Sequence, residues 1–180
     1  DYEKLAPDAT IEQGWANNNF VRPSHEQKKG DAKSSIKNAS DHLSGQLKIG
    51  GQEHLYLESQ AALCIPTEEG GMHVYTSSQN PAENQKLVAE VLDIPMNLVT
   101  AEVRRMGGAF GGKETNSNQW TCIAALLARK TKKPVKVCLA RVDDMRSTGK
   151  RHHFISRYSV GFDEEGRLEG LDLELAAGCG

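Results

Sequence analysis

The chain has 180 residues, which suits one domain of ordinary size with a buried core. It is 38% hydrophobic and 26% charged with a formal net charge of −2, an ordinary globular composition. It has no basic block and no aromatic–basic stripe, which argues against nucleic acid as a partner. The longest apolar run, Cys122 to Ala128, is too short to cross a bilayer. No secretory signal opens the polar, acidic N-terminus, so a cytoplasmic location and no membrane partner are expected.

Residues 1–42 are polar and read as an inter-domain connector. Within them, Thr10 is placed to cap one short helix through Trp15 and Ala16. Leu47-Lys48-Ile49 alternates as a short strand does. Ala61–Pro66 and Met72–Ser77 read as paired strands across the turn Glu68-Glu69-Gly70-Gly71. Pro81 starts a helix whose apolar stripe is Leu87, Val88, Val91 and Leu92, and Ile94-Pro95 ends it. Leu98 to Val103 is the next strand and Trp120 to Ala128 a largely buried helix. Pro134 to Leu139 is a strand, and Phe154–Phe162 with Leu168–Leu175 form a final hairpin. This mixture predicts an α+β fold, a mixed β-sheet with helices packed on one face.

The four cysteines, Cys64, Cys122, Cys138 and Cys179, are widely spaced with no C-x-x-C pair. Neither a zinc nor an iron–sulfur site is expected from them, and those in apolar runs read as small buried hydrophobes. His152 and His153 are adjacent, and neighbours on a strand face opposite ways, so they do not read as a metal pair.

Arg105-Met106-Gly107-Gly108-Ala109-Phe110-Gly111-Gly112-Lys113-Glu114 links a strand to a helix. Glycine lets backbone approach a ligand closely, and a helix start downstream offers free N–H groups. The run suits a polar or anionic ligand better than a bare turn, since each glycine costs entropy. It misses the dinucleotide pattern, because Ala109 takes the middle glycine position. It misses the P-loop as well, because Glu114 stands where a magnesium-binding hydroxyl is required.

The run M-G-G-A-F-G-G-K-E-T resembles the molybdenum-hydroxylase family and, within it, the xanthine dehydrogenases. Three further segments are similar to that family's landmarks, in its order: Gly50 to Ser59, Ser77-Ser78-Gln79-Asn80, and Asp143-Asp144-Met145 with Thr148 to His152. Four landmarks in order carry far more weight than one short motif. Ala109 replaces a glycine common in animal members, a small departure. The resemblance implies that 43–180 is the first part of a molybdopterin-binding region, and that the chain is a piece of a larger subunit.

The same resemblance implies a role for particular residues. Gln79, Gly108, Phe110 and Gly111 would bind the molybdenum–molybdopterin cofactor, with Gln79 and Phe110 touching the metal centre. Gln79 would donate its amide to the metal's oxo ligand; it could otherwise cap the Pro81 helix. Phe110 and Gly111 would use backbone N–H groups, and the Phe110 ring could also pack under the loop. Glu114 would be the catalytic, substrate-binding carboxylate, contacting a purine; it could otherwise be a favourable charge in the first helical turn. Lys113 receives no assignment.

The implied reaction is purine catabolism: hypoxanthine or xanthine is oxidised to urate with oxygen from water. Electrons leave through 2Fe-2S clusters and FAD to NAD. Implied partners are the purine, the remaining molybdenum-binding domains, an iron–sulfur/FAD domain or subunit, and further copies in a homo-oligomer of the full enzyme. The general base and a purine-binding arginine would lie after Gly180, leaving this piece inactive alone. An aldehyde or N-heterocycle oxidase of the same family, or a noncatalytic assembly module, are the other readings.

Overall fold

The computed structural model describes residues 10–178. They form two compact units: residues up to Gln52 together with those from His152, and Glu53–Arg151.

The first unit is built on a three-stranded antiparallel sheet. Its strands are β1 (Asp41–Ile49), β6 (Phe154–Phe162) and β7 (Leu168–Ala177), in the order β1-β6-β7. The expected hairpin is present, closed by Asp163, which accepts from the Glu165 and Arg167 N–H groups. Helix α1 (Ile11–Ala16) starts at Thr10 as expected. The Thr10 hydroxyl accepts from the Gln13 N–H and the Gln13 side chain accepts from the Thr10 N–H, both at 3.2 Å.

Part of the stretch read as a connector is structured. Ala32–Asn38 is helix α2, started by Asp31, and it packs on β6 and β7. Gly161 and Gly170 face each other across β6 and β7. A Cβ on Gly161 would lie 2.8 Å from the Ile36 Cα, and one on Gly170 2.9 Å from the Ser35 Cβ. This glycine pair is what lets α2 settle onto the sheet. The boundary drawn at 42 falls inside β1, which is longer than Leu47–Ile49 alone indicates.

The second unit is the mixed sheet with helices on one face. Its strands are β2 (Ala61–Pro66), β3 (Met72–Thr76), β4 (Val99–Glu102) and β5 (Val135–Cys138), in the order β4-β3-β2-β5. β3 and β4 run parallel, joined by α3 (Pro81–Leu92) and a short turn, Met96–Leu98; the other pairs are antiparallel. Alternate residues Ala62, Cys64, Met72, Val74 and Val99 meet Val88, Ala89 and Leu92 of α3 and Ala124, Ala125 and Ala128 of α4 (Asn116–Thr131). Burial of this apolar surface, at ~25 cal/mol per Å², holds the layers together.

Helix α4 is not largely buried. Its inward stripe is Ser117, Thr121, Ala124, Ala125 and Ala128, while Ile123, Leu126 and Leu127 are exposed. Small residues on the inner face let α4 approach the sheet, so the bulky apolar residues turn outward. A fifth helix, α5 (Arg141–Ser147), follows β5 and contains the Asp143-Asp144-Met145 landmark. Cys64 is buried and Cys122 half-buried, but Cys138 is exposed, because it lies at the end of β5 with its side chain on the uncovered face. Cys179 lies outside the described residues.

Candidate functional site

The residues singled out by sequence lie where the second unit's parallel strands end. Residues 77–80 leave β3, and the glycine segment follows β4. The structure joins the two stretches directly. The Gln79 N–H donates to the Lys113 carbonyl at 2.9 Å, and the Lys113 N–H donates to Gln79 Oε1 at 3.2 Å. The Ser78 hydroxyl donates to the same carbonyl at 3.2 Å.

This pairing fixes the Gln79 amide. Its oxygen is used by Lys113, so its NH₂ is the free end, and that group donates to nothing among the described residues. The alternative of Gln79 as helix cap is removed. Asn80 caps α3, its side chain accepting from the Glu83 N–H at 3.2 Å.

The loop apex is shaped by left-handed backbone. Gly108, Phe110 and Gly111 have φ of +89°, +55° and +88°. At Phe110 this is costly for an L-residue, on the order of 1–2 kcal/mol. The one turn bond inside the apex runs from the Gly112 N–H to the Ala109 carbonyl at 2.8 Å. The Phe110 and Gly111 N–H groups make no hydrogen bond among the described residues. The Phe110 ring does not pack under the loop; it is 65% exposed. Its left-handed backbone turns the side chain outward, over Gly108. Ala109 is buried instead, so its methyl group is accommodated.

Glu114 is exposed, and it lies before helix α4 rather than in its first turn. Thr115 is the N-cap and Asn116 the first helical residue. The helix-start reading of its charge therefore loses its position. The carboxylate makes no hydrogen bond or ion pair among the described residues.

Beneath the loop sits a network drawn from all four sequence landmarks, built on residues to which the resemblance gave no role. Lys113 is fully buried, with its ammonium 3.1 Å from the Glu58 carboxylate, 2.7 Å from the Ser77 hydroxyl and 4.7 Å from the centre of the Tyr56 ring. Burial pulls its pKa down, and Glu58 opposes without cancelling. Burial raises the Glu58 pKa, but the Ser77 hydroxyl, the Gly107 N–H and Lys113 together hold it below the ordinary carboxylate value. A buried lysine requires a counter-charge, and Glu58 rather than the adjacent Glu114 supplies it. The partner, 55 positions away, could not be read from spacing.

A second network holds the loop's far end. The Tyr56 hydroxyl donates to Asp144 at 2.6 Å, and the Gln60 N–H donates to the other Asp144 oxygen at 2.5 Å. The Gln60 amide donates to the Gly112 carbonyl at 3.1 Å, as does Asn116 at 3.1 Å. Burial, then Asp144, pushes the Tyr56 pKa up. His54 stacks beside Tyr56 with its buried Nδ1 unpaired, and burial keeps its pKa below the usual imidazole value. A third layer joins α3 to α4: Asn84 bonds Ser117 and Asn118, and Ser117 donates to the Ser78 hydroxyl at 2.9 Å.

The exposed surface of this assembly offers three unpaired donors, the Gln79 NH₂ and the Phe110 and Gly111 N–H groups, with open space around Gly111. These fit a cofactor rich in oxo and phosphate acceptors, which calls for neutral donors. Among the described residues no group of three His, Cys, Asp or Glu side chains could hold a metal ion by itself.

Comparison with known proteins agrees with this chemistry. Residues 12–180 match the model of the molybdopterin cofactor-binding domain. The chain is 42% identical over 180 residues to a xanthine dehydrogenase of Dictyostelium discoideum, covering 100% of this chain and 13% of that protein. It is 41% identical over 184 residues to a nicotinate hydroxylase of Emericella nidulans, covering 99% and 14%. An aldehyde oxidoreductase structure from Desulfovibrio desulfuricans superposes with a TM-score of 0.72 at 17% identity, covering 98% of this chain and 20% of that one. At that identity the likeness is one of fold. The chain belongs to the molybdopterin cofactor-binding domain family, and its relatives are oxidoreductases of the molybdenum-hydroxylase class. It spans about one-seventh of the length of those curated relatives, 13–14%.

Proposed function

We propose that this chain forms one wall of the molybdenum and substrate site of a xanthine dehydrogenase that hydroxylates hypoxanthine and xanthine. The observation that carries the proposal is the pairing of an exposed, unpartnered Glu114 carboxylate with the unpaired donors of Gln79, Phe110 and Gly111 on one short loop and its neighbour. The 42% identity to a xanthine dehydrogenase supports the purine as substrate.

The reaction converts a ring C–H and a water into a C–OH, releasing two electrons and two protons. Bound molybdopterin would supply the redox chemistry, and the protein binding and electrostatics. Gln79 would donate its NH₂ to an acceptor of the bound centre. The Phe110 and Gly111 N–H groups act likewise, as fixed dipoles that need no reorganisation during reaction. Gly108 keeps the backbone low enough for close approach. Glu114 accepts from a purine N–H and orients the ring for attack at the electron-poor carbon. In the full enzyme, a cytoplasmic homo-oligomer, other parts would hold the 2Fe-2S clusters, FAD and NAD that take up the electrons, and this chain would act with the remaining molybdenum-binding domains.

A second reading is an oxidase of aldehydes or other N-heterocycles, favoured by the 41% identity to a nicotinate hydroxylase. Turnover of the full-length enzyme, wild type against Glu114→Val, on xanthine and an aromatic aldehyde separates the two. The purine reading expects xanthine turnover to fall by about a hundredfold or more with aldehyde turnover retained. Unchanged xanthine turnover removes it.

A further inference from the structure

Glu58 belongs to neither β2 nor the glycine loop, yet it touches both ends of that loop. Its Oε2 accepts from the Gly107 N–H at 2.9 Å, the Ser77 hydroxyl at 2.5 Å and the Lys113 ammonium at 3.1 Å. Its own N–H donates to the Gly107 carbonyl at 3.1 Å. Gly107 and Lys113 are the two feet of the loop, and Ser77 is where the chain leaves β3. A Cβ on Gly107 would lie 2.6 Å from the Glu58 Cβ, so the contact exists only because that foot is glycine.

We propose that Glu58 is a positioning residue of the site, a clamp that closes the loop at both feet and, through Lys113, sets the direction of the Gln79 amide. The apex from Gly108 to Gly111 has only the Ala109–Gly112 turn bond of its own, so its conformation is imposed from its ends. Lys113 carries the constraint onward. Its ammonium is held by Glu58 and Ser77, while its backbone N–H and C=O hold Gln79 at 3.2 and 2.9 Å. One carboxylate therefore governs the aim of all three unpaired donors. A neutral residue at 58 leaves a buried ammonium without its counter-charge; Lys113 then gives up its proton or moves, and either way the ion pair that ties the two feet together is lost.

The proposal rests on the reading of Gln79 and the loop as the cofactor-facing wall. Its test uses the full-length holoenzyme carrying Glu58→Gln, which keeps the shape and one acceptor. Three things are measured: amide hydrogen exchange, the electron paramagnetic resonance spectrum of the reduced enzyme, and kcat and KM on xanthine and an aldehyde. Exchange at 107–113 should quicken at least about tenfold while that of α3 stays at the wild-type rate. The spectrum should change. For each accepted substrate, kcat should fall by about tenfold to a hundredfold with KM moving much less. The double variant Glu58→Gln/Lys113→Met, which has no buried charge to strand, should regain part of the loop protection. It replaces the single variant if that one fails to accumulate. Wild-type exchange across 107–113 with an unchanged spectrum, in whichever variant folds, overturns the clamp. Exchange and spectrum are read without substrate, so failure of the purine assignment leaves this result standing, and the reverse holds too.

Discussion

Tyr56 and Asp144 lie 88 positions apart in the chain and meet through a buried 2.6 Å hydrogen bond. The same carboxylate receives the Gln60 N–H, and Gln60 reaches on to the Gly112 carbonyl. Tyr56→Phe removes one hydroxyl, leaving an Asp144 oxygen without that donor and the Gln60 Nε2, which donates to the hydroxyl at 3.0 Å, without that acceptor. It should lower unfolding stability by about 1–3 kcal/mol, and Asp144→Ala should cost more because it orphans two donors. Urea denaturation of both variants measures this; wild-type midpoints would show that the network contributes nothing net.

Three groups make the second unit acid-sensitive, His54 in one window and Glu58 with Glu102 in another. His54 has a folded pKa below its unfolded value, about 6.5. Its contribution is complete above that value and is lost as pH falls through the folded pKa. Glu58 is also depressed, relative to an unfolded value of about 4.3. Its contribution is complete above that value and lost as pH falls through its lower folded pKa. Stability measured from pH 7 to pH 3 should fall in two steps, with Glu58→Gln flattening the lower one. A Glu58→Gln curve parallel to wild type below pH 4.5 refutes the assignment.

Neighbouring glycines should respond differently to a methyl group. Gly111→Ala meets open space, so its cost is backbone strain alone, about 1–2 kcal/mol. Gly112→Ala would place a Cβ 2.7 Å from the rings of both His54 and Tyr56, so it must displace a packed pair. It should be the more damaging change by about 1 kcal/mol or more. Thermal unfolding of the two variants checks the order, and the reverse order counts against this description of the loop floor.

The three cysteines among the described residues form a graded set. Burial pushes the Cys64 thiol up to about 12, and it also raises Cys122. Cys138 is exposed. Iodoacetamide at neutral pH should modify Cys138 first, Cys122 slowly, and Cys64 only on unfolding. Peptide mapping by mass spectrometry reads the order; early labelling of Cys64 would contradict the buried core.

Local signals made much of this fold legible. The Pro81 start, the Asn80 landmark and the alternating β2 and β3 runs specify their elements within a few residues. Helix α2 escaped because Ala32–Asn38 offers only Ile36 as a large apolar residue. Its packing comes from Gly161 and Gly170, far along the chain. The charge of Glu114 suits a first helical turn, but Thr115 takes the cap and leaves Glu114 outside α4. The motif indicated which residues surround a ligand but not what supports them. The pairings of Glu58 with Lys113 and Tyr56 with Asp144 depend on which distant segments the sheet brings together, and no periodicity encodes that.

The parallel pairing of β3 with β4 through α3 sends two chain segments out of the sheet side by side in the same sense. One carries Gln79; the other becomes the glycine loop. The strands and helix beneath are occupied with packing, so the outgoing segments can differ at the exposed positions Phe110, Gly111 and Glu114 without unsettling the layers. A wall made this way is exchangeable. On the proposed function, transplanting residues 105–115 with Gly107, Gly112 and Lys113 retained would move substrate preference as a cassette, while the recipient kept its own core and its own Glu58.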